Sequence, residues 1–169
     1  MDLVSLSTEE VRNLFKHQRV ILIGDSIVRG IYKDLCCVLT GNNRLLYSNE
    51  LQFNRHQIKK ETLFGEAIEK FYAKRRNSTF NVEQRSLKSK SFGYDVTYIF
   101  TSRIWNQKMV QLLSSLDKYD IIIVNSQIWD LSRYEDNDGQ SYLKNLDIFF
   151  SKVKLVKKNN YMVDECTNK

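Results

Sequence analysis

The chain has no proline, six glycines in 169 residues, three cysteines and two histidines. Each scarcity excludes something. Two of the cysteines are adjacent, Cys36 and Cys37, and the three together match neither a disulfide framework nor a metal-ligand spacing. They read as buried thiols in a reducing compartment. No run of eighteen or more apolar residues is present, so no segment reads as a membrane-spanning helix, and the N-terminus lacks the charged-then-apolar pattern of a secretion signal. The expectation is an intracellular, cytoplasmic protein. What is present is 42% apolar residues, enough for one domain with a real core and too little chain for two.

Charge is unevenly spread. Residues 54–90 carry ten Lys/Arg against four Asp/Glu, an excess equal to the whole net charge of +6, and the rest of the chain is balanced. Such a segment is a candidate surface for an anionic partner, either nucleic acid, a membrane or an acidic polymer. The competing reading is a solvated loop region, since neither aromatic interleaving nor a nucleic-acid motif accompanies the charge.

Taken in order, Ser7-Thr8-Glu9-Glu10 has the pattern of a capping box, followed by Val11, Leu14 and Phe15 at helical spacing. The run Val20-Ile21-Leu22-Ile23 reads as a strand buried on both faces. Ile27, Ile31, Leu35 and Val38 then recur with a helical period, and Gly41, Asn42 and Asn43 supply the stop. Over 44–90 the pattern is poor; a helix over 63–72 and a strand over 79–87 are expected. A strand over 94–101, a helical face of Met109, Leu112, Leu113 and Leu116, and a second apolar strand at Ile121-Ile122-Ile123-Val124 follow. The last expected element is a helix over 139–157 with Tyr142, Leu143, Leu146, Phe149, Phe150 and Val153 on its apolar face. Strands separated by helical segments predict an α/β three-layer sandwich, flavodoxin-like, with a mostly parallel sheet. In such sheets a ligand crevice lies beyond the carboxyl ends of the strands, where Ser26, Arg103 and residues 125–130 would meet.

Gly24-Asp25-Ser26 is the turn between the first strand and its helix. Gly24 allows a sharp reversal, and Asp25 or Ser26 can cap the helix start. A serine there lies at the positive end of a helix with its hydroxyl outward, a suitable position for a nucleophile; Asp and Ser are also simply the commonest caps. Residues 16–35, from Lys16-His17-Gln18-Arg19 through Ile23-Gly24-Asp25-Ser26-Ile27-Val28-Arg29 to Leu35, resemble the first block of the SGNH (GDSL-type) hydrolases and, more narrowly, of the PC-esterase-domain proteins. Asp120-Ile121-Ile122-Ile123-Val124-Asn125-Ser126-Gln127-Ile128-Trp129-Asp130-Leu131-Ser132-Arg133-Tyr134 resembles a second block of that narrower family.

The resemblance implies an acyl esterase acting on modified carbohydrates or other biopolymers. Ser26 would form an acyl-enzyme, Asp25 would support the turn, and neither a metal nor an organic cofactor would be needed. It also implies further strands and a late Asp-x-x-His motif whose His activates the serine. This sequence holds only His17 and His56, neither in such a motif. Residues 1–157 therefore read as a partial domain lacking its C-terminal strands and 158–169 as a divergent tail, and the chain is expected to be inactive or weakly active. The block that donates oxyanion hydrogen bonds is unorthodox too. Aligning Asp130 with its Asp places Trp129 where Asn is expected; the Trp129 indole or the Asn125 amide are the candidate donors. Arg103 is a candidate for an anionic or carbonyl group of the substrate, or for a structural salt bridge. Asp130 and Arg133 are spaced to pair with each other. Asn77-Ser78-Thr79 fits a glycosylation acceptor, read as accidental without an export signal. The competing class is a non-catalytic ligand- or partner-binding module.

Overall fold

A computed structural model of the chain describes residues 6–41, 59–64, 67–75, 81–125, 127–133 and 139–166. Ser7 closes the expected capping box with Glu10, starting helix α1 (Thr8–Phe15). Strand β1 (Arg19–Gly24) follows, and Val20, Ile21, Leu22 and Ile23 are fully buried, as a continuous apolar run requires of a central strand. Helix α2 (Ser26–Leu39) ends on Thr40, with Gly41 in the left-handed region at φ 94°.

The expected helix over 63–72 is absent. That stretch forms two strands, β2 (Lys59–Phe64) and β3 (Ala67–Arg75), and the strand expected over 79–87 is β4 (Asn81–Ser89). Only two residues separate β2 from β3, too few for anything but antiparallel pairing. The five residues from β4 to β5 (Asp95–Phe100) likewise close an antiparallel turn, with Gly93 at φ 71°. Helix α3 (Gln107–Leu113), strand β6 (Ile121–Asn125), helix α4 (Gln127–Arg133) and helix α5 (Gln140–Cys166) complete the described chain. The last helix was expected to stop near residue 157.

The six strands form one open sheet in the order β2-β3-β4-β5-β1-β6. Its centre is the expected parallel unit, β5-β1-β6, with Leu22 opposite Tyr98 on one side and Ile123 on the other. The strands β2, β3 and β4 extend it as an antiparallel wing. On one face α1 and α2 cover Val20, Leu22, Leu87, Val96 and Tyr98. The other face packs Ile21, Ile23 and Ile99 against Met109 of α3 and Phe149 of α5, giving the three layers of an α/β sandwich at the parallel centre.

Three details shift from expectation. The buried stripe of α2 is Val28, Tyr32, Cys36 and Leu39, whereas Ile27 and Ile31 are 46% and 49% exposed. The apolar strand β6 is a sheet edge: Ile122 and Val124 face the core, while Ile121 and Ile123 remain about 40% exposed. In α5, Leu143 and Phe150 likewise face outward although Tyr142, Leu146, Phe149 and Val153 pack inward.

Candidate active site

The turn at the end of β1 is over-determined by its neighbours. A Cβ on Gly24 would lie 2.1 Å from the Asn125 carbonyl oxygen and 2.4 Å from Val28 Cγ2, so only glycine permits β1, β6 and α2 to converge here. Asp25 is the N-cap, 2% exposed, and its Oδ1 accepts the Ile27 amide at 2.8 Å. From below, the Tyr98 hydroxyl donates to the carbonyls of Asp25 (3.0 Å) and Gly24 (3.2 Å), and the Thr101 amide donates to Gly24 at 2.9 Å. Burial drives the Tyr98 phenol well above its ordinary ionisation range, so it remains a donor at all relevant pH values.

Ser26 is the first residue of α2 and is exposed. Its hydroxyl therefore lies at the positive end of a fourteen-residue helix, above the carboxyl end of the central strand. Among the described residues no base is hydrogen-bonded to it. His17 lies at the opposite end of β1, where its amide donates to Phe92 at 3.1 Å and its ring packs on Gly93. His56 lies outside the described residues, as does the acceptor pattern at 77–79.

The strand ends beside the serine bring the other candidates to the same end of the sheet. Asn125 closes β6 directly opposite Gly24. The chain turns after it into α4, which carries half-buried Trp129 and buried Asp130. Asp130 accepts the Ile104 amide at 2.8 Å and meets the Arg103 guanidinium at 3.5 Å. The guanidinium of Arg133 lies over the Trp129 ring, 4.2 Å from its centroid. Thr101 and Asn106 brace the intervening loop: Thr101 Oγ1 donates to the Arg103 carbonyl at 2.8 Å, and Asn106 Nδ2 donates to Thr101 Oγ1 at 3.1 Å. Among the described residues no cluster of metal-ligating side chains is present, and no helix is long and apolar enough to cross a membrane.

The sequence reading missed the support behind α2. One turn beyond Ser26, Arg29 Nη1 donates to Glu83 at 3.1 Å; Arg85 Nε holds the other Glu83 oxygen at 2.8 Å and Arg85 Nη1 reaches Glu69 at 3.2 Å. The four side chains are 3–15% exposed, and Arg85 also stacks on Phe71 at 3.9 Å. This buried chain of charges ties α2 to β4 and β3. Charged residues with no sequence periodicity linking them give no local signal of such a network.

Two comparisons bear on ancestry. The chain is 32% identical over 161 residues to PC-esterase domain-containing protein 1B of Mus musculus, and 30% identical over 173 residues to PC-esterase domain-containing protein 1A of Homo sapiens. The alignments cover 89% and 98% of this chain. It is homologous to these proteins. The homology relates it, at family level, to the PC-esterase/SGNH hydrolase domains that the two sequence blocks resemble. The chain spans 35% of the length of each of the two relatives. No protein-family model matches the chain, and no solved structure does.

Proposed function

We propose that the chain is the nucleophile-bearing part of an SGNH-type acyl esterase acting on ester-linked acyl groups of carbohydrates or other biopolymers. The observation that carries this reading is Ser26 itself, exposed as the first residue of α2 at the carboxyl end of the central strand. In the reaction Ser26 Oγ attacks the ester carbonyl carbon, the alcohol leaves, and water later releases the acid from the acyl-enzyme. Asp25 supports the turn. Negative charge developing on the carbonyl oxygen is met by the start of α2, with the Asn125 amide or the Trp129 indole as side-chain donors. The serine proton needs an acceptor: His56 is the candidate within these residues, and an Asp-x-x-His segment is what the family resemblance implies. Without one the chain is inactive or weakly active, because an unassisted serine hydroxyl is a poor nucleophile at neutral pH.

A second reading, a non-catalytic binding module on the same fold, is favoured by the absence of a base at Ser26 among the described residues and by the engagement of Arg103 with Asp130. The test is hydrolysis of a short-chain aryl acetate by the wild-type chain, by Ser26→Ala, and by a form extended through any encoded Asp-x-x-His segment. Activity lost in Ser26→Ala supports the esterase. Silence in both folded forms, with ligand affinity surviving Ser26→Ala, supports the module. The basic segment 54–90, much of which is the antiparallel wing, is proposed as the surface for an anionic partner.

A further inference from the structure

A second amine-bearing site lies on the other side of β5 from the serine turn. Lys108, the second residue of α3, donates from Nζ to the carbonyl oxygen of Phe100 at 2.6 Å. It lines a cleft of about 210 Å³ together with Glu83, Gln84, Ile99, Gln111 and Leu112. Buried Ile99 and half-buried Leu112 make the apolar part of the lining; exposed Gln84 and Gln111 carry the amides. The cleft is smaller than the roughly 300–1,000 Å³ of ordinary small-molecule sites, a size suited to a short acyl group.

Burial pushes the Lys108 amine down to about 8, against the opposing but smaller pull of the Glu83 carboxylate. Glu83 is the charged group that faces the amine from β4. Its two oxygens are bonded to Arg29 from α2 and Arg85 from β4.

We propose that Lys108 is a second nucleophile of this chain, taking short acyl groups from activated esters that dock in the cleft. The neutral amine has two N–H bonds and a lone pair. One N–H stays on the Phe100 carbonyl while the lone pair attacks the ester carbonyl carbon. The carbon–oxygen bond to the leaving group breaks, the departing alkoxide or phenoxide takes up the proton that nitrogen gives up, and an amide remains on Nζ. No other reactant enters, and Ser26 has no part in the step.

Lys33 supplies an internal control. Burial pushes it down to about 8 as well, yet it sits on α2 and does not line the cleft. The experiment treats the full chain, in wild-type and Ser26→Ala forms, with 4-nitrophenyl acetate, butyrate and dodecanoate between pH 7 and 8.5, then measures acylation of each lysine by peptide mass spectrometry. Lys108 is expected to acetylate at least about tenfold faster than the median exposed lysine at pH 7 in both forms, because an ordinary lysine is almost wholly protonated there. Its rate should rise only about eightfold from pH 7 to 8.5, against about thirtyfold for an ordinary lysine, and should be lost with dodecanoate. Leu112→Trp, checked by circular dichroism and melting to be folded, should slow Lys108 and leave Lys33 unchanged. Labelling of Lys108 no faster than that of exposed lysines, or equal labelling of Lys33, overturns the proposal. Neither result depends on whether Ser26 turns over an ester.

Discussion

Removing the Glu83 carboxylate is expected to be among the most damaging single side-chain changes in this domain. Glu83 is 2% exposed and accepts from two guanidinium groups, Arg29 at 3.1 Å and Arg85 at 2.8 Å. In Glu83→Ala the Arg29 side chain, 11% exposed, loses the Glu83 carboxylate inside the fold. Arg85 keeps Glu69 at 3.2 Å, so the loss falls mainly on α2. Breaking a buried pair from one side costs about 3–5 kcal/mol, a large part of the roughly 5–15 kcal/mol that holds a domain folded. With a urea m-value of about 2 kcal/mol/M, the unfolding midpoint should fall by about 2 M. Urea denaturation at pH 7, followed by circular dichroism and tryptophan fluorescence, measures this. Glu83→Gln, which keeps shape and one acceptor, should lie between wild type and Glu83→Ala. The Arg29→Met/Glu83→Gln double variant should lose less than the sum of the single losses. A midpoint shift below about 0.5 M for Glu83→Ala would show that Arg29 finds water or another acceptor, and would refute the network as an anchor of α2.

Three more outcomes follow from the geometry. Gly24→Ala should destabilise by more than about 3 kcal/mol or prevent folding, since the added Cβ meets backbone of β6 at 2.1 Å, and expression yield with thermal melting reads this out. Asp130→Ala should cost about 2 kcal/mol in chemical denaturation by stranding the buried Ile104 amide; an unchanged midpoint would mean that Asp130 has no structural share in the site loop. Stability should also respond to pH. Lys33 and Lys108 are held below their unfolded value, so the unfolded chain binds more protons, and stability rises as pH climbs from about 8 toward 10.5. Cys36 and Tyr98 are shifted upward, so above about 9 to 10 the unfolded chain releases protons the folded one keeps, and stability falls. Denaturation midpoints from pH 7 to 10.5 should therefore rise above pH 8 and pass through a maximum near pH 10, and Lys108→Met should flatten the rising side.

Local patterns in the sequence were enough for the parallel centre and its turn. The four-residue apolar run, the change of period after Gly24, and the cap at Asp25 are local signals, and each corresponds to an observed element. The strand over 79–87 was legible although Glu83 and Arg85 are buried in it, whereas 63–72 was misread as a helix where β3 carries Glu69 on its inward face in place of an apolar residue. Alternation of apolar and polar residues fails as a guide when charges are buried in pairs. The face of α2 was misassigned for a related reason. Both Ile27-Ile31-Leu35-Val38 and Val28-Tyr32-Cys36-Leu39 have helical spacing, and only the sheet beneath decides between them.

The sequence by itself determined where β1 lies, where the chain must turn, and which serine heads the following helix, because dihedral preferences, capping and hydrophobic period act within a few residues. It also determined that neither of its histidines stands in an Asp-x-x-His pattern. Tertiary structure alone decided that Glu83 from β4 holds Arg29 of α2, that Asp130 meets Arg103, that β6 lies at the edge of the described sheet, and that Lys108 lines a cleft. Those contacts join residues 27 to 54 positions apart or depend on strand order. Their energies come from burial and charge pairing, which exist only once distant segments have been brought together.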